Sequence, residues 1–204
     1  MRRMLLLGMI AVFALGMGAV AVQADDGGGD GNGRQNDHAS CVTATGGDDD
    51  AAGADDNGNS GDREGSDQAD DENGTSSDDV IDGNAGDDDI AGDAGDDDLC
   101  GDTGDDHMTG GQGNDKMAGG PGDDVENGQA GNDDIEGDDG NDRINGGTGV
   151  DVIRAGRGND RIFARDNRRD HISCGSGTDS VIADRGDAVA ASCEHVSRGG
   201  APTA

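Results

Sequence analysis

Ten aspartates recur at a fixed spacing of nine residues, which makes carboxylate chemistry the first candidate function of this chain. They are Asp79, Asp88, Asp97, Asp106, Asp115, Asp124, Asp133, Asp142, Asp151 and Asp160. A sequence repeat explains these close carboxylates better than paired acid–base roles do. Ionised carboxylates are hard oxygen ligands, so the pattern favours the binding of divalent cations.

An inward-facing position follows each aspartate by two residues and is apolar in nine of the ten units. Its residues are Ile81, Ile90, Leu99, Met108, Met117, Glu126, Ile135, Ile144, Ile153 and Ile162. Glycine recurs two residues before the aspartate from Gly86 to Gly158, and five residues before it from Gly74 to Gly146. Because glycine permits positive φ angles, the pattern predicts strands of about three residues separated by tight turns of about six.

Two such units would form one 18-residue coil, and stacked coils would lie about 4.8 Å apart. Alternate units would then form two facing ladders in one narrow core. One ladder comprises Ile81, Leu99, Met117, Ile135 and Ile153, and the other comprises Ile90, Met108, Glu126, Ile144 and Ile162. Glu126 interrupts the second ladder, so we expect either a local register shift that turns Val125 inward or an outward-turned Glu126 side chain.

The same stacking would place aspartates of successive coils one strand spacing apart. Ionised carboxylates at that distance repel each other strongly, and a divalent cation between the coils would reverse the sign of the interaction. Ca²⁺ tolerates irregular shells of carboxylate and carbonyl oxygens, whereas Mg²⁺ requires a tighter octahedron. His38, His107, His171 and His195 share no spacing, which gives zinc or copper little support. The sequence therefore predicts several bound Ca²⁺ ions.

One segment matches a known repeat along its whole length. Gly110–Ala118 reads Gly-Gly-Gln-Gly-Asn-Asp-Lys-Met-Ala, which is the Gly-Gly-x-Gly-x-Asp-x-apolar-x nonapeptide of RTX proteins. The segments that begin at Gly119 and Gly146 match closely. The chain therefore resembles the RTX, or hemolysin-type, calcium-binding repeat family over under half of its length. The resemblance implies an all-β fold, a parallel β-roll (β-solenoid) of nonapeptide repeats.

The resemblance also implies that each Ca²⁺ lies between one turn and the turn 18 residues later. The implied aspartate pairs, up to eight sites, are Asp79/Asp97, Asp88/Asp106, Asp97/Asp115, Asp106/Asp124, Asp115/Asp133, Asp124/Asp142, Asp133/Asp151 and Asp142/Asp160. Backbone carbonyls are implied near Gly83, Gly86, Gly92, Gly95, Gly101, Gly104, Gly110, Gly113, Gly119, Gly122, Gly128, Gly131, Gly137, Gly140, Gly146 and Gly149. The second glycine of the motif is replaced by Asn84, Asp93, Asp102, Gln129 and Asp138. We expect binding to survive there if the backbone angle is tolerated, because only a carbonyl is needed.

The predicted β-roll covers residues 74–164, and the regions on either side differ from it in composition. Residues 25–73 are rich in Asp, Gly, Asn and Ser without apolar periodicity, which predicts a disordered acidic leader. After Asp160 the register slips by one residue, and Asp170 and Asp179 resume the spacing. We interpret residues 165–198 as a C-terminal cap that covers the end of the core, followed by a disordered tail at 199–204.

The four cysteines allow three connectivities if the protein is exported to an oxidising compartment. Cys174 and Cys193 lie close together in sequence, so a disulfide that pins the cap is the first prediction. Cys41 and Cys100 would then pair by elimination, although either could stay free.

The first 24 residues read as a secretory signal peptide. A short positive start at Met1–Met4 precedes an apolar run from Leu5 to Val22, and small residues precede an acidic stretch after Ala24. This predicts a secreted, extracellular protein without stable membrane insertion after cleavage. The alternative is an uncleaved membrane anchor, because the run is marginally long enough to span.

The charge distribution argues against a nucleic-acid partner. The chain of 204 residues has a net charge of −32, and residues 25–142 carry 38 acidic and 3 basic side chains. No basic groove is indicated, so the implied partner is a cation. No catalytic motif is present, and we expect no enzyme. The competing interpretation is an unstructured secreted polyanion that acts as a calcium buffer or as a surface or matrix component; a protein partner is not indicated.

Overall fold

The computed structural model describes residues 63–199, and the strands in this range form two parallel sheets. The first sheet contains, in spatial order, β1 (Arg63–Glu64), β3 (Val80–Asp82), β5 (Asp98–Cys100), β7 (Lys116–Pro121), β9 (Asp134–Asp139), β11 (Val152–Arg154), β14 (His171–Ser173) and β17 (Ala188–Val189), with β12 (Arg157–Gly158) and β15 (Ser176–Gly177) beside this path. The second contains β2 (Asp71–Asn73), β4 (Asp89–Ala94), β6 (His107–Gln112), β8 (Val125–Ala130), β10 (Arg143–Asn145), β13 (Arg161–Ala164), β16 (Ser180–Ala183) and β18 (His195–Arg198). The chain alternates between the sheets, so it winds as an all-β parallel solenoid of about seven turns.

Both predicted ladders are confirmed by the pairing of the strands. Ile81, Leu99, Met117, Ile135 and Ile153 are successive register partners in the first sheet. Ile90, Met108, Glu126, Ile144 and Ile162 are successive partners in the second. The apolar members of both ladders are buried and form one core cluster. Burial of these side chains between the sheets contributes favourably to the regular structure of this glycine-rich chain.

The prediction for Glu126 is wrong in both of its forms. Val125 remains 36% exposed, whereas Glu126 points inward and is only 1% exposed. Strand β8 keeps its register, with Glu126 paired to Met108 on one side and to Ile144 on the other. A slip of one residue would have turned every side chain of β8 to the opposite face of the sheet. The nine-residue period therefore prevails over the preference of a carboxylate for water.

The described solenoid already includes residues 63–73, which lie before the predicted start of the repeats at residue 74. Strand β1 pairs with β3, and β2 pairs with β4, where Glu72 is the partner of Ile90. Glu72 takes the inward position of its unit and is 8% exposed. This unit is not recognised as a repeat from the sequence, because its inward residue is not apolar. The predicted signal peptide at 1–24, the leader up to residue 62 and the tail from residue 200 lie outside the described residues.

The replaced second glycines adopt the backbone conformation of the glycines that they replace. Asn84, Asp93, Asp102, Gln129 and Asp138 all have positive φ, between 64° and 71°. Asn and Asp are the non-glycine residues that accept this left-handed region most readily. The third glycine is more demanding: Gly104 has a φ of 147°, and an added Cβ would overlap the carbonyl oxygen of Gly86 in the preceding coil.

The C-terminal coils continue the solenoid with altered lengths. The predicted slip after Asp160 is present, because Ile153 pairs with Ile172 and Ile162 pairs with Val181. The predicted disulfide between Cys174 and Cys193 is confirmed. Cys41 lies outside the described residues, so its pairing with Cys100 stays a prediction. Within residues 63–199 we find no helix with the length and apolar character needed to cross a membrane.

Candidate metal centres

Each repeat aspartate from Asp88 to Asp160 uses one carboxylate oxygen to contact the preceding coil. The backbone N–H of Asp97 donates to Oδ1 of Asp115 at 3.0 Å, and the N–H of Asp115 donates to Oδ1 of Asp133 at 3.0 Å. The same bond joins all eight aspartate pairs implied by the sequence. The structure therefore brings every one of these pairs together, in two columns that run along the edges of the solenoid.

The other carboxylate oxygen of the interior aspartates is buried and has no hydrogen-bond partner among the described residues. This holds for Oδ2 of Asp88, Asp97, Asp106, Asp115, Asp124, Asp133, Asp142, Asp151 and Asp160. A buried carboxylate oxygen without a donor or a counter-charge is strongly destabilising. The described residues therefore supply no partner for these oxygens, and a bound cation or a proton would remove the penalty.

A backbone carbonyl faces these oxygens across the space that a glycine leaves open. A Cβ added to Gly137 would lie 2.6 Å from Oδ2 of Asp142 and 2.7 Å from the carbonyl oxygen of Ala155 in the next coil. A Cβ added to Gly83 would lie 2.6 Å from Oδ2 of Asp88 and would also approach a carbonyl of the next coil, at 3.1 Å. Carboxylate and carbonyl oxygens around one gap are the donors that Ca²⁺ prefers. The residues present therefore fit this ion.

Glycine carbonyls named from the motif lie between successive coils. The carbonyls of Gly83, Gly92, Gly101, Gly110, Gly119, Gly137 and Gly146 approach the first glycine of the preceding coil. The carbonyls of Gly86, Gly95, Gly104, Gly113, Gly122, Gly131 and Gly140 approach the third glycine of the following coil. Within residues 63–199 no three His, Cys, Asp or Glu side chains are gathered into a metal cluster. Backbone oxygens would therefore have to provide part of any coordination shell here.

The N-terminal end of the column differs from its interior. Oδ2 of Asp79 accepts a hydrogen bond from the N–H of Thr75, and its Oδ1 accepts one from the Thr75 hydroxyl at 3.2 Å. One unit earlier, Oδ2 of Asp70 accepts the N–H and the hydroxyl of Ser66 at 2.7 and 2.8 Å. Sequence reasoning missed Asp70, although it lies nine residues before Asp79, because Glu72 fills the apolar position of its unit.

The C-terminal end also supplies two acidic residues that sequence reasoning missed, Asp187 and Glu194. Asp170 and Asp179 continue the columns, and their own N–H groups donate to Asp187 Oδ1 at 3.2 Å and Glu194 Oε2 at 3.0 Å. Oδ2 of Asp187 accepts the N–H of Asp184 at 2.5 Å. Asp187 and Glu194 do not follow the nine-residue spacing, so no periodic signal could have identified them.

Burial raises the pKa of the interior carboxylates. The pKa of Asp124 is raised to about 8, that of Asp133 and Asp142 to about 7, and that of Asp97, Asp106 and Asp160 to about 6. The backbone N–H that each carboxylate accepts opposes this effect, and neighbouring carboxylate charges add to it. Burial, followed by the charges of Asp142 and Asp124, also raises the pKa of Glu126 well above its ordinary value. A cation beside these groups would lower their pKa values again.

The fold and these centres define a class, the parallel β-rolls whose coils are joined by glycine- and aspartate-rich turns. A family model of the RTX calcium-binding nonapeptide repeat (4 copies) matches residues 64–99, 101–126 and 127–164. These matched residues make up just under half of the chain, and they are similar to the RTX calcium-binding repeat, as the motif at Gly110–Ala118 indicates. A search of curated proteins finds no match to the chain.

Proposed function

We propose that this protein is a secreted calcium-binding protein whose solenoid folds when several Ca²⁺ ions bind between its coils. The RTX repeats suggest calcium binding as such. The observation that carries the proposal is the column of buried Oδ2 atoms without donors, with backbone carbonyls beside them. The proposed ligands are the ten repeat aspartates from Asp79 to Asp160 and the carbonyls of the adjoining glycine turns, with up to eight sites.

Asp115 illustrates how one interior aspartate would serve two sites. Its Oδ1 is held by the N–H of Asp97, and its own N–H holds Oδ1 of Asp133. The first bond orients the carboxylate of Asp115, so that its Oδ2 remains free for an ion, and the second orients the carboxylate of Asp133 in the same way. When bound, Ca²⁺ would supply positive charge between oxygens that otherwise repel each other. Each interior aspartate would therefore link the occupancy of one site to that of the next.

Folding on binding follows from the balance of charge and burial. A chain with a net charge of −32 and a narrow core has little to offset the repulsion among its aspartates. A metal site that forms only in the folded state adds its binding free energy to folding. Extracellular calcium modules bind in the range of about 10⁻⁴–10⁻³ M. The N-terminal signal pattern supports secretion, so the chain would fold after export, where calcium is abundant.

Far-UV circular dichroism and hydrodynamic radius of the secreted protein test this proposal. We expect a β-sheet spectrum and a small radius in millimolar CaCl₂, and a disordered spectrum with a large radius in chelator. MgCl₂ at the same concentration controls for simple charge screening, because Mg²⁺ fits irregular oxygen shells poorly. The same spectrum with CaCl₂ and with chelator would contradict the proposal. An equal response to Ca²⁺ and Mg²⁺ would favour the competing interpretation, an unstructured polyanion.

A further inference from the structure

Glu126 places a carboxylate inside the apolar ladder of the second sheet. It lies between Met108 and Ile144 in register and is 1% exposed. Neither Oε1 nor Oε2 has a hydrogen-bond partner among the described residues. A charged group in such a place is retained only if something compensates it. The metal ligands proposed above do not include it.

Inward side chains of this ladder reach the same gaps that the aspartate oxygens border. A Cβ added to Gly83 would lie 2.6 Å from Oδ2 of Asp88 and 3.1 Å from Cδ1 of Ile90. Cδ1 of Ile90 and the unpaired Oδ2 of Asp88 therefore both lie close to the same point between the coils. The inward position is thus within reach of the space between the coils.

Glu72 shows what a glutamate does at this position. It belongs to the same ladder as Glu126, three coils earlier. A Cβ added to Gly65 would lie 3.0 Å from Oε1 of Glu72 and closer still to the carbonyl oxygen of Gly83. A glutamate in the ladder therefore brings a carboxylate oxygen to a gap that a carbonyl of the next coil also borders.

The equivalent gap for Glu126 is the one beside Gly119. A Cβ on Gly119 would contact Oδ2 of Asp124 and would lie 3.1 Å from the carbonyl oxygen of Gly137. The side-chain charges that act on Glu126 are, in decreasing order, those of Asp142, Asp124, Asp138 and Asp160, and all are negative. A cation is the partner that would satisfy Glu126 and these neighbours together.

We propose that Glu126 is a calcium ligand that adds a core carboxylate to the site between Asp124 and Asp142. This inference rests on the proposed calcium function. The protein alone does not gather these three carboxylates into a cluster, so a bound ion would have to draw the Glu126 carboxylate toward Asp124 and Asp142. The site would then have three carboxylates where its neighbours have two, and affinity for Ca²⁺ rises with the charge of the ligand set. It is therefore the tightest site of the array and the first to fill as calcium rises. The gap in the apolar ladder is the consequence of this additional ligand.

The variants Glu126→Gln and Glu126→Ile test the inference by CaCl₂ titration, followed by circular dichroism and calorimetry. We expect Glu126→Gln to raise the CaCl₂ midpoint of the tightest binding step by about tenfold or more, the size of effect typical of altered metal surroundings. Glu126→Ile, which completes the ladder as Ile144 does, should bind one tight ion fewer. Met108→Ile, an apolar change in the neighbouring rung, should bind as many tight ions as the unmodified protein.

The opposite result distinguishes a ligand from a mere defect in the core. If Glu126 only disturbs packing, both variants fold more easily, and their CaCl₂ midpoints fall with the number of tight ions unchanged. A midpoint for Glu126→Gln at or below that of the unmodified protein, or a full set of tight ions in Glu126→Ile, overturns the inference. Failure of the proposed function is different, since the unmodified protein would then show no calcium-dependent change.

Discussion

Equivalent repeat aspartates have different hydrogen-bond partners in the interior coils and in the first described coil. In the interior, Oδ2 of residues such as Asp88 and Asp97 is buried without a donor. In the N-terminal coil, Oδ2 of Asp70 and Asp79 accepts the N–H of Ser66 and Thr75. Among the described residues, the first two aspartates of the columns are therefore satisfied within their own turns, whereas the interior aspartates are not.

The residue four positions before the aspartate accounts for this difference. In the interior it has a positive φ, as in Asn84 or Asp93, or is a glycine such as Gly111. Ser66 and Thr75 are not among the described residues with positive φ. Because the left-handed conformation rotates the peptide N–H, the interior turn no longer donates to the carboxylate. The second position of the turn thus selects between a self-satisfied aspartate and one that is available to an ion.

Acidification should fold the calcium-free interior, and this is the largest effect that we expect. The raised pKa values, from about 6 for Asp160 to about 8 for Asp124, lie above the value near 4 of an unfolded aspartate. The folded state therefore binds protons more tightly than the unfolded state does. The resulting contribution to the free energy of unfolding is complete below about pH 4 and is lost as the pH rises from about 6 to 8.

Circular dichroism of metal-depleted protein between about pH 8 and pH 5 measures this effect, since protons replace calcium in removing the repulsion. We expect the β-sheet signal to rise as the pH falls, and light scattering controls for aggregation. In CaCl₂ the trend should reverse, because protons compete for the same oxygens. A metal-free spectrum that stays flat over this range would contradict the account of the interior carboxylates.

Substitution of an interior aspartate should weaken calcium binding more than substitution of an aspartate at the N-terminal end of the column. Asp115→Asn keeps an acceptor for the N–H of Asp97 but removes the charge shared by two sites. We expect its CaCl₂ midpoint to rise by about tenfold, equivalent to about 1.4 kcal/mol, with lower cooperativity. Asp79→Asn is the matched control and should change the midpoint much less, because Thr75 already donates to that carboxylate. Equal shifts in calorimetric titrations of the two variants would remove the distinction between interior and end.

The smallest expected effect comes from converting an end turn into an interior turn. Thr75→Gly removes the hydroxyl donor and allows the positive φ of the interior units, which would free Oδ2 of Asp79. We expect the protein to become slightly less stable in chelator but to gain calcium affinity at its N-terminal end. Thr75→Ser keeps both donors and should behave as the unmodified protein. Identical calcium titrations of the two variants would show that the second turn position does not control the carboxylate.

The ladders and the aspartate pairs could be predicted from sequence because both depend on one period. A residue such as Ile135 has its neighbours 18 residues away in either direction, and the structure places Met117 and Ile153 there. Glu126 could not be predicted in this way, because local preference and the period disagree at that residue. The period prevails because the turns and strands on both sides hold the register of β8.

By itself, the sequence determined the coil length, the inward faces and the aspartate columns, since a nine-residue repeat can stack in register only when equivalent residues align. Only the tertiary structure decided which oxygens are left unpaired. That depends on the peptide orientation at residues such as Thr75 and Asn84, and on donors from residues outside the period, such as Asp184 for Asp187. These contacts span only three or four residues, but the direction of the peptide N–H depends on the conformation of the turn, which the spacing alone does not fix.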